Sequence, residues 1–275
     1  MYSSDKKRRF SSPKQEKKDY SSSSAFSRKS ATPIFGIHPI IEAIRSGKEI
    51  EKVFMLKGTG NALMSELYKE ITEYKIPFQF VPPEKLNHLV KSKNHQGVVA
   101  LLSPISYQNI ENIIPTIFEK GETPLVLILD RITDVRNMGA IARTAECSGV
   151  HVMVVPAKGS AQINSDAIKT SAGAIFNLPI CRSEHMKHTI DFLKSSGLQI
   201  IACTEKGDKQ INEIDFSIPS AIIVGSEEDG ISSEFIRMSD FEASIPLLGE
   251  TASLNVSVAA GIALYEVMRQ KKFKK

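Results

Sequence analysis

Segment 245–266 constrains the fold of this 275-residue chain more than any other. A short apolar run ends at Ile245 and Pro246, and a polar turn carries Gly249, Ser253 and Asn255. A run of very small residues follows: Ala259, Ala260, Gly261 and Ala263. Ser253 and Asn255 are both good N-caps, because a short side-chain oxygen accepts from the unpaired N–H groups of a first helical turn. Residues 256–268 therefore read as helix. Gly261 costs roughly 1 kcal/mol of helix propensity relative to Ala. A helix that carries such a cost serves close approach by another backbone, a partner helix or a ligand. The plain alternative is a core helix in crowded surroundings.

Ahead of this helix, apolar runs alternate with helical periodicity. Residues 39–46, 62–74 and 83–91 read as helices between strands at 52–56, 78–81 and 97–102, an α/β unit of βαβ type. A helix at 110–119 leads into a second unit. There, residues 125–129 (Leu125 to Leu129, all aliphatic) read as a strand covered on both faces. A loop at 131–138, a helix at 139–148 ending on Gly149 and a strand at 150–155 come next. Met186, Ile190 and Leu193 mark a helix before a strand at 198–203. Strands at 221–224 and 243–245 then flank a helix at 233–238. The second unit is thus a mostly parallel sheet with helices on both faces, whose ligands belong beyond the carboxyl ends of the strands.

Charge is divided unevenly. Residues 1–33 hold nine Lys and Arg against three acids, and the last seven residues hold five basic groups and no acid. The overall charge is nevertheless only +4. Residues 1–32, with ten serines, read as a disordered basic tail, and 271–275 as a second basic tail. Such tails suit nucleic acid, a solubilising role being the alternative. No run reaches the ~18 apolar residues of a bilayer span, and the N-terminus lacks a secretory core. The expected protein is cytoplasmic, without membrane attachment. Cys147, Cys181 and Cys203 form no C-x-x-C pair and sit in apolar runs, so they are expected as buried, reduced thiols. His185 and His188 lack a third ligand, and no metal is expected.

Three polar clusters fall at strand ends: Asp134 to Arg143, Gly225 to Gly230, and Ser253 to Asn255. They contain neither G-x-x-x-x-G-K-[ST] nor G-x-G-x-x-G, which excludes a P-loop and argues against an ordinary dinucleotide fold. No His lies among them, so a nucleophile–His–acid relay is absent. Amides, a hydroxyl and an Arg suit positioning and charge stabilisation of something anionic.

Taken together, Asn137…Arg143, Gly225-x-Glu227-x-x-Gly230 and Ile245-Pro…Gly249…Ser253-Leu-Asn255-Val-Ser-Val-Ala closely resemble the SpoU branch (TrmH/RlmB-like) of the SPOUT RNA ribose 2′-O-methyltransferases. The similarity covers about 240 residues. The segment beginning Phe35-Gly-Ile-His-Pro, with His95-Gln-Gly97, resembles that family's ribosomal-protein-like substrate-binding domain. The resemblance implies an RNA substrate-binding domain at 33–104, a linker at 105–121 and a trefoil-knotted methyltransferase domain at 122–270. It also implies S-adenosylmethionine as cofactor and a homodimer. Within the family the chain is most similar to members that methylate a guanosine of 23S rRNA.

Carried over by position, Gly225, Ile245 and Leu254 would contact the cofactor through backbone, with Thr204 as an addition. Asn137, Arg143, Glu227, Ser253 and Asn255 would form the catalytic set, although each alone also reads as a cap or loop brace. A guanidinium is a poor base, so Arg143 is expected to bind phosphate or stabilise an alkoxide. Two positions depart from the family: Val135 stands where Pro is frequent, which should loosen the loop before Asn137, and Glu228 and Asp229 add negative charge. The rivals are a tRNA or other-site methyltransferase, a catalytically silent RNA-binding or ribosome-assembly factor, and a nuclear or membrane-surface protein recruited by its tails.

Overall fold

The computed structural model describes residues 33–58, 61–91 and 94–273. The expected tail at 1–32, and Lys274 and Lys275 of the second, lie outside them. The first unit comprises β1 (Pro33–Phe35), α1 (Ile37–Arg45), β2 (Ile50–Leu56), α2 (Ala62–Glu73), β3 (Phe78–Val81), α3 (Pro83–Val90) and β4 (Val98–Leu102). Its sheet runs β1-β4-β2-β3. Only β2 and β3 are parallel, so α2 is the one crossover where a repeated βαβ pattern was expected. Gln96 and Gly97 at positive φ turn the chain back, and β4 pairs antiparallel with both β1 and β2. Ile40, Ile41 and Ile44 of α1 and Leu67 and Ile71 of α2 cover one face, over Val53 and Met55. Leu86 and Val90 of α3 cover the other, over Phe54 and Val99.

The second unit begins with α4 (Ile110–Glu119), β5 (Leu125–Leu129), α5 (Val135–Cys147), β6 (Val152–Pro156), α6 (Ser165–Thr170) and β7 (Ile180–Ser183). It continues through α7 (Met186–Ser195), β8 (Gln199–Cys203), β9 (Lys209–Gln210), β10 (Ser220–Val224), α8 (Ser233–Met238), β11 (Phe241–Ser244) and α9 (Val256–Phe273). Its seven strands are all parallel, in the order β7-β6-β5-β10-β8-β11-β9. Leu125, Leu127 and Leu129 point into one core with α5 and α9, while Val126 and Ile128 point into another with α4 and α7. Full burial of each such side chain stabilises by roughly 1.5–3 kcal/mol, which is why β5 holds no polar residue. No helix among the described residues is long and apolar enough to cross a membrane.

Several expectations are corrected. Residues 156–185 carry α6 and β7, which periodicity did not reveal because each is shorter than two helical turns or five strand residues. The helix expected from 139 begins at Val135: the Asp134 carboxylate accepts from the N–H groups of Arg136 and Asn137 at 2.6 and 2.9 Å. Val135 therefore occupies the first helical position and packs on the core, so it does not loosen the chain. α9 runs on to Phe273, and β11 ends at Ser244, one residue before Ile245. Cys147 is exposed and Cys203 only partly buried, so Cys181 alone is a buried thiol.

The two glycines of the packed helices differ in kind. A Cβ on Gly139 of α5 would lie 2.7 Å from the Ala167 carbonyl oxygen and 2.8 Å from Thr170 Cβ, so α6 rests directly on the α5 backbone. A Cβ on Gly261 would meet Thr144 Cγ2 at an ordinary 3.7 Å. The close approach expected at Gly261 is thus not made within the chain. Gly139→Ala should lower stability by about 1–3 kcal/mol through overpacking, whereas Gly261→Ala should not. Thermal unfolding of the two variants checks the difference.

Candidate active site

Backbone register brings four loops to one edge. Val224 of β10 stands opposite Leu129 of β5 and Cys203 of β8, and Ala243 of β11 stands opposite Cys203. The chain therefore leaves the sheet at neighbouring points after 129, 203, 224 and 244. Thr204 N–H donates to the Ala243 carbonyl at 2.9 Å, extending the β8–β11 pairing by one residue.

Gly225 opens the turn after β10. A Cβ there would lie 2.2–2.4 Å from backbone atoms of Gly230 and Ile231, so only glycine fits where the loop folds back on itself. Ser226 and Gly230 exchange backbone hydrogen bonds of 3.1 and 3.0 Å. The loop is anchored from below by Asp130, which is buried and whose carboxylate accepts from Ser232 N–H at 2.6 Å and Ser232 Oγ at 2.7 Å. Arg131, held at φ 57, donates to Asp229 at 3.1 Å and to the Gly230 carbonyl at 3.3 Å. Sequence reading passed over this brace. Its signal was the acid ending β5, but the partners lie about a hundred residues away.

Three of the expected residues form one hydrogen-bonded cluster. Asn137 Nδ2 donates to Glu227 Oε1 at 3.0 Å, and Asn255 Nδ2 lies 2.5 Å from the same oxygen and 3.1 Å from Asn137 Oδ1. The other end of Asn255 caps α9, its Oδ1 accepting from Ser257 N–H at 2.9 Å and Ser257 Oγ at 2.6 Å. Asn255, not Ser253, is the cap. Glu227 is thereby held by two amide donors while its Oε2 stays open.

Beside this cluster lies a cleft of about 360 Å³. Thr204, Gly225, Glu227, Ile245, Ser253 and Leu254 all line it, as do Cys203 and Val256. Its rim is acidic, with Glu205, Glu228 and Asp229 against Lys206. Burial pushes the Cys203 thiol up to about 11, with Glu205 adding to the effect, so it stays protonated and is no nucleophile at neutral pH. Arg143 stands apart. It follows Asn137 by six residues on α5, roughly 9 Å along the axis and on another side of the helix, exposed and outside the cleft lining. Among the described residues, no group of three His, Cys, Asp or Glu is placed to hold a metal, and the His185 and His188 rings lie 5.4 Å apart.

Residues 124–265 match the model of the SpoU rRNA Methylase family, and residues 33–108 match that of RNA 2′-O ribose methyltransferase substrate binding. A Bacillus subtilis protein assigned by name to the TrmH family of tRNA/rRNA methyltransferases, YacO, is 31% identical over 238 residues, 86% of this chain and 95% of its own. A similarly named Staphylococcus aureus protein is 35% identical over 240 residues, covering 87% and 96%. Among solved structures, the SpoU methyltransferase AviRb of Streptomyces viridochromogenes, in complex with AdoMet, superposes with a TM-score of 0.57 at 24% identity. That match covers 88% of this chain and 91% of AviRb. The A. aeolicus TrmH/SpoU tRNA modifying enzyme is 30% identical over 59% of this chain and 84% of its own, with a TM-score of 0.51.

Asn255→Asp tests the cluster, since it keeps the cap and sets a second carboxylate against Glu227. At about 4 Å in a solvated site the repulsion is on the order of 1 kcal/mol. The variant should therefore be less stable than the parent at pH 8 and close to it at pH 4, where carboxylates take up protons. Thermal unfolding at the two pH values reads the difference.

Proposed function

We propose, from the premise that this chain belongs to the SpoU rRNA methylase family, that it methylates a ribose 2′-hydroxyl of RNA using S-adenosylmethionine, with a guanosine of 23S rRNA as target. The observation that carries the reading is the Asn137–Glu227–Asn255 cluster, whose Glu227 lines the cleft while the two amides hold it from beside. Preset amides and a carboxylate are what an in-line transfer between two bound reactants needs, because orientation supplies much of the acceleration.

The cleft fits the cofactor on its own terms. Its volume falls within the range of small-molecule sites, and its backbone edges at Gly225, Ile245 and Leu254 offer amides and carbonyls, with Thr204 beside them. Its acidic rim complements a sulfonium. When bound, the cofactor supplies an electrophilic methyl group. Asn137, Ser253 and Asn255 then orient the sugar, and Glu227 fixes both amides. Arg143 holds the adjoining phosphate and steadies the developing alkoxide as the 2′-hydroxyl passes its proton to solvent water.

Charge along the chain supports an RNA substrate held by the first unit. Residues 33–104 contain nine Lys and Arg against seven acids, while 105–268 contain twelve against twenty-one. The resemblance divides the chain into domains at 33–104 and 122–270, a linker at 105–121 and basic tails at 1–32 and 271–275, and the charge counts accord with that division. The tails add sequence-independent, salt-sensitive attraction to the RNA.

A homodimer belongs to the same reading. Val258, Ile262 and Tyr265 recur at i, i+4 and i+7 on α9 and are exposed, beside Gly261 and the exposed Cys147 of α5. A second copy on this face would cover these side chains, and would bring each Arg143 near a neighbouring cleft. The C-terminal segment carrying Asn255 is the part of the chain that a trefoil knot would thread.

Purified protein should transfer labelled methyl groups to 23S rRNA, with ribose-methylation mapping placing them on one guanosine. Transfer to tRNA instead would move the target, and cofactor binding without transfer to any RNA would leave a silent assembly factor. Arg143→Ala should lower transfer at least ~100-fold while calorimetry shows nearly unchanged cofactor affinity. Equal loss of both in a folded variant would contradict its role.

A further inference from the structure

The two sheets are almost unconnected by apolar packing. The apolar clusters of the first unit draw on residues 34–102, and those of the second on residues 105–267. Helices and strands of each unit pack chiefly on their own sheet. Domains joined this way swing relative to one another unless something fixes them.

What joins them converges on one carboxylate. Glu51 of β2 is buried, at 6% exposure, although it belongs to the first sheet, and among the described residues no basic group of that sheet pairs with it. Its Oε2 accepts from the guanidinium of Arg182, on the edge strand β7 of the second sheet. The same oxygen accepts from the Tyr107 hydroxyl at 2.7 Å. The guanidinium carbon of Arg182 lies 3.7 Å from the centroid of the Tyr107 ring, a cation–π contact. Tyr107 belongs to the connecting segment, whose next residue, Gln108, pairs with Cys181 beside Arg182, its N–H donating to the Ile180 carbonyl at 2.8 Å. Burial pushes the neighbouring Glu49 carboxyl up, opposed by Arg182 and reinforced by Glu51, so Arg182 faces two carboxylates.

We propose that Glu51, Arg182 and Tyr107 form an orientation lock: positioning residues that hold the RNA-binding unit at one bearing toward the methyl-transfer cleft, so that RNA gripped by the first presents its ribose to the second. The functional part of the proposal rests on the methyltransferase reading given above. A buried ion pair is a weak source of stability, because desolvation offsets most of its attraction, but it tolerates few geometries. The planar guanidinium, donating an N–H to the carboxylate while its carbon lies against the ring, narrows them further. An apolar patch of the same size would allow sliding, and this contact does not.

The test is a distance measurement in the full chain. Spin labels on Lys69→Cys of α2 and Lys187→Cys of α7, both exposed positions, in a Cys147→Ser background, report the separation of the units by pulsed dipolar spectroscopy. The parent should give one narrow distribution, and Glu51→Gln and Arg182→Met broad ones. Tyr107→Phe, which keeps the ring under the guanidinium, should stay near the parent. Calorimetric cofactor affinity should be unchanged in all, while kcat/KM for RNA falls on the order of 10-fold or more in the broadened variants, mainly through KM. Narrow, unshifted distributions in folded Glu51→Gln and Arg182→Met would overturn the lock. So would broadening with unaltered RNA kinetics, which would leave it a structural joint. Absence of methylation by the parent protein would overturn the proposed reaction, and the distance distributions would still decide whether the units are locked.

Discussion

Strand β10 enters the parallel sheet between β5 and β8 with Val224 level with Leu129 and Cys203, and the site depends on that insertion. Three chain segments far apart in sequence thereby leave the sheet at one height, and β11 adds a fourth. A slip of one residue would exchange the faces to which Ile222 and Ile223 point, yet both faces are apolar and would accept either. The strand ends therefore carry the register. Asp130 N–H donates to the Val224 carbonyl at 2.8 Å, and its buried carboxylate takes both donors of Ser232. Beyond that point the backbone of Gly225 lies so close to Gly230 that no side chain could stand between them.

On the proposed reading, the chemistry follows from that edge with few parts. Asn255 serves twice, closing the first turn of α9 with its oxygen and holding Glu227 and Asn137 with its nitrogen. Fold and site thus share a side chain, and the helix cannot begin elsewhere without taking the cluster apart. Asn137 is placed by the same device, since Asp134 caps α5 through the N–H of Asn137 itself. Two capped helices facing one carboxylate make a surface that needs no reorganisation when charge develops nearby, which is the property electrostatic stabilisation demands.

Much of this could be read from residue order. The buried strand at 125–129, the small-residue helix after Asn255 and the polar clusters at strand ends all carry local signals, respectively continuous apolarity, an N-cap and missing alternatives. The start of α5 carries a local signal too, since Asp134 is a good N-cap. Other features had no local signal. β7 is four residues long with Arg182 and Ser183 in it, and nothing in its composition separates it from a loop. The strand order, the antiparallel return of β4 and the grouping of Asn137 with Glu227 are long-range pairings that periodicity does not encode. Gly225 was marked for ligand contact, while its geometry answers first to the loop's own backbone. Cys147, expected to be buried from its apolar run, is turned outward by the helix.

The division of labour between the units rests on how differently they are held together. Inside each, aliphatic side chains fill both faces of a sheet and tolerate small shifts in packing. Between them stands a charged, planar contact built from Glu51, Arg182 and Tyr107. Apolar area rewards any arrangement that excludes water, whereas a guanidinium held by a ring and a carboxylate rewards one arrangement and penalises its neighbours. Stability is therefore assigned to the cores and bearing to the joint. A reaction that depends on orienting one sugar hydroxyl on a large, flexible polymer is limited by bearing, because a displacement of about an ångström at the reacting atoms costs on the order of 100-fold in rate. The buried carboxylate on β2, costly as a source of stability, makes sense as the reference against which that orientation is set.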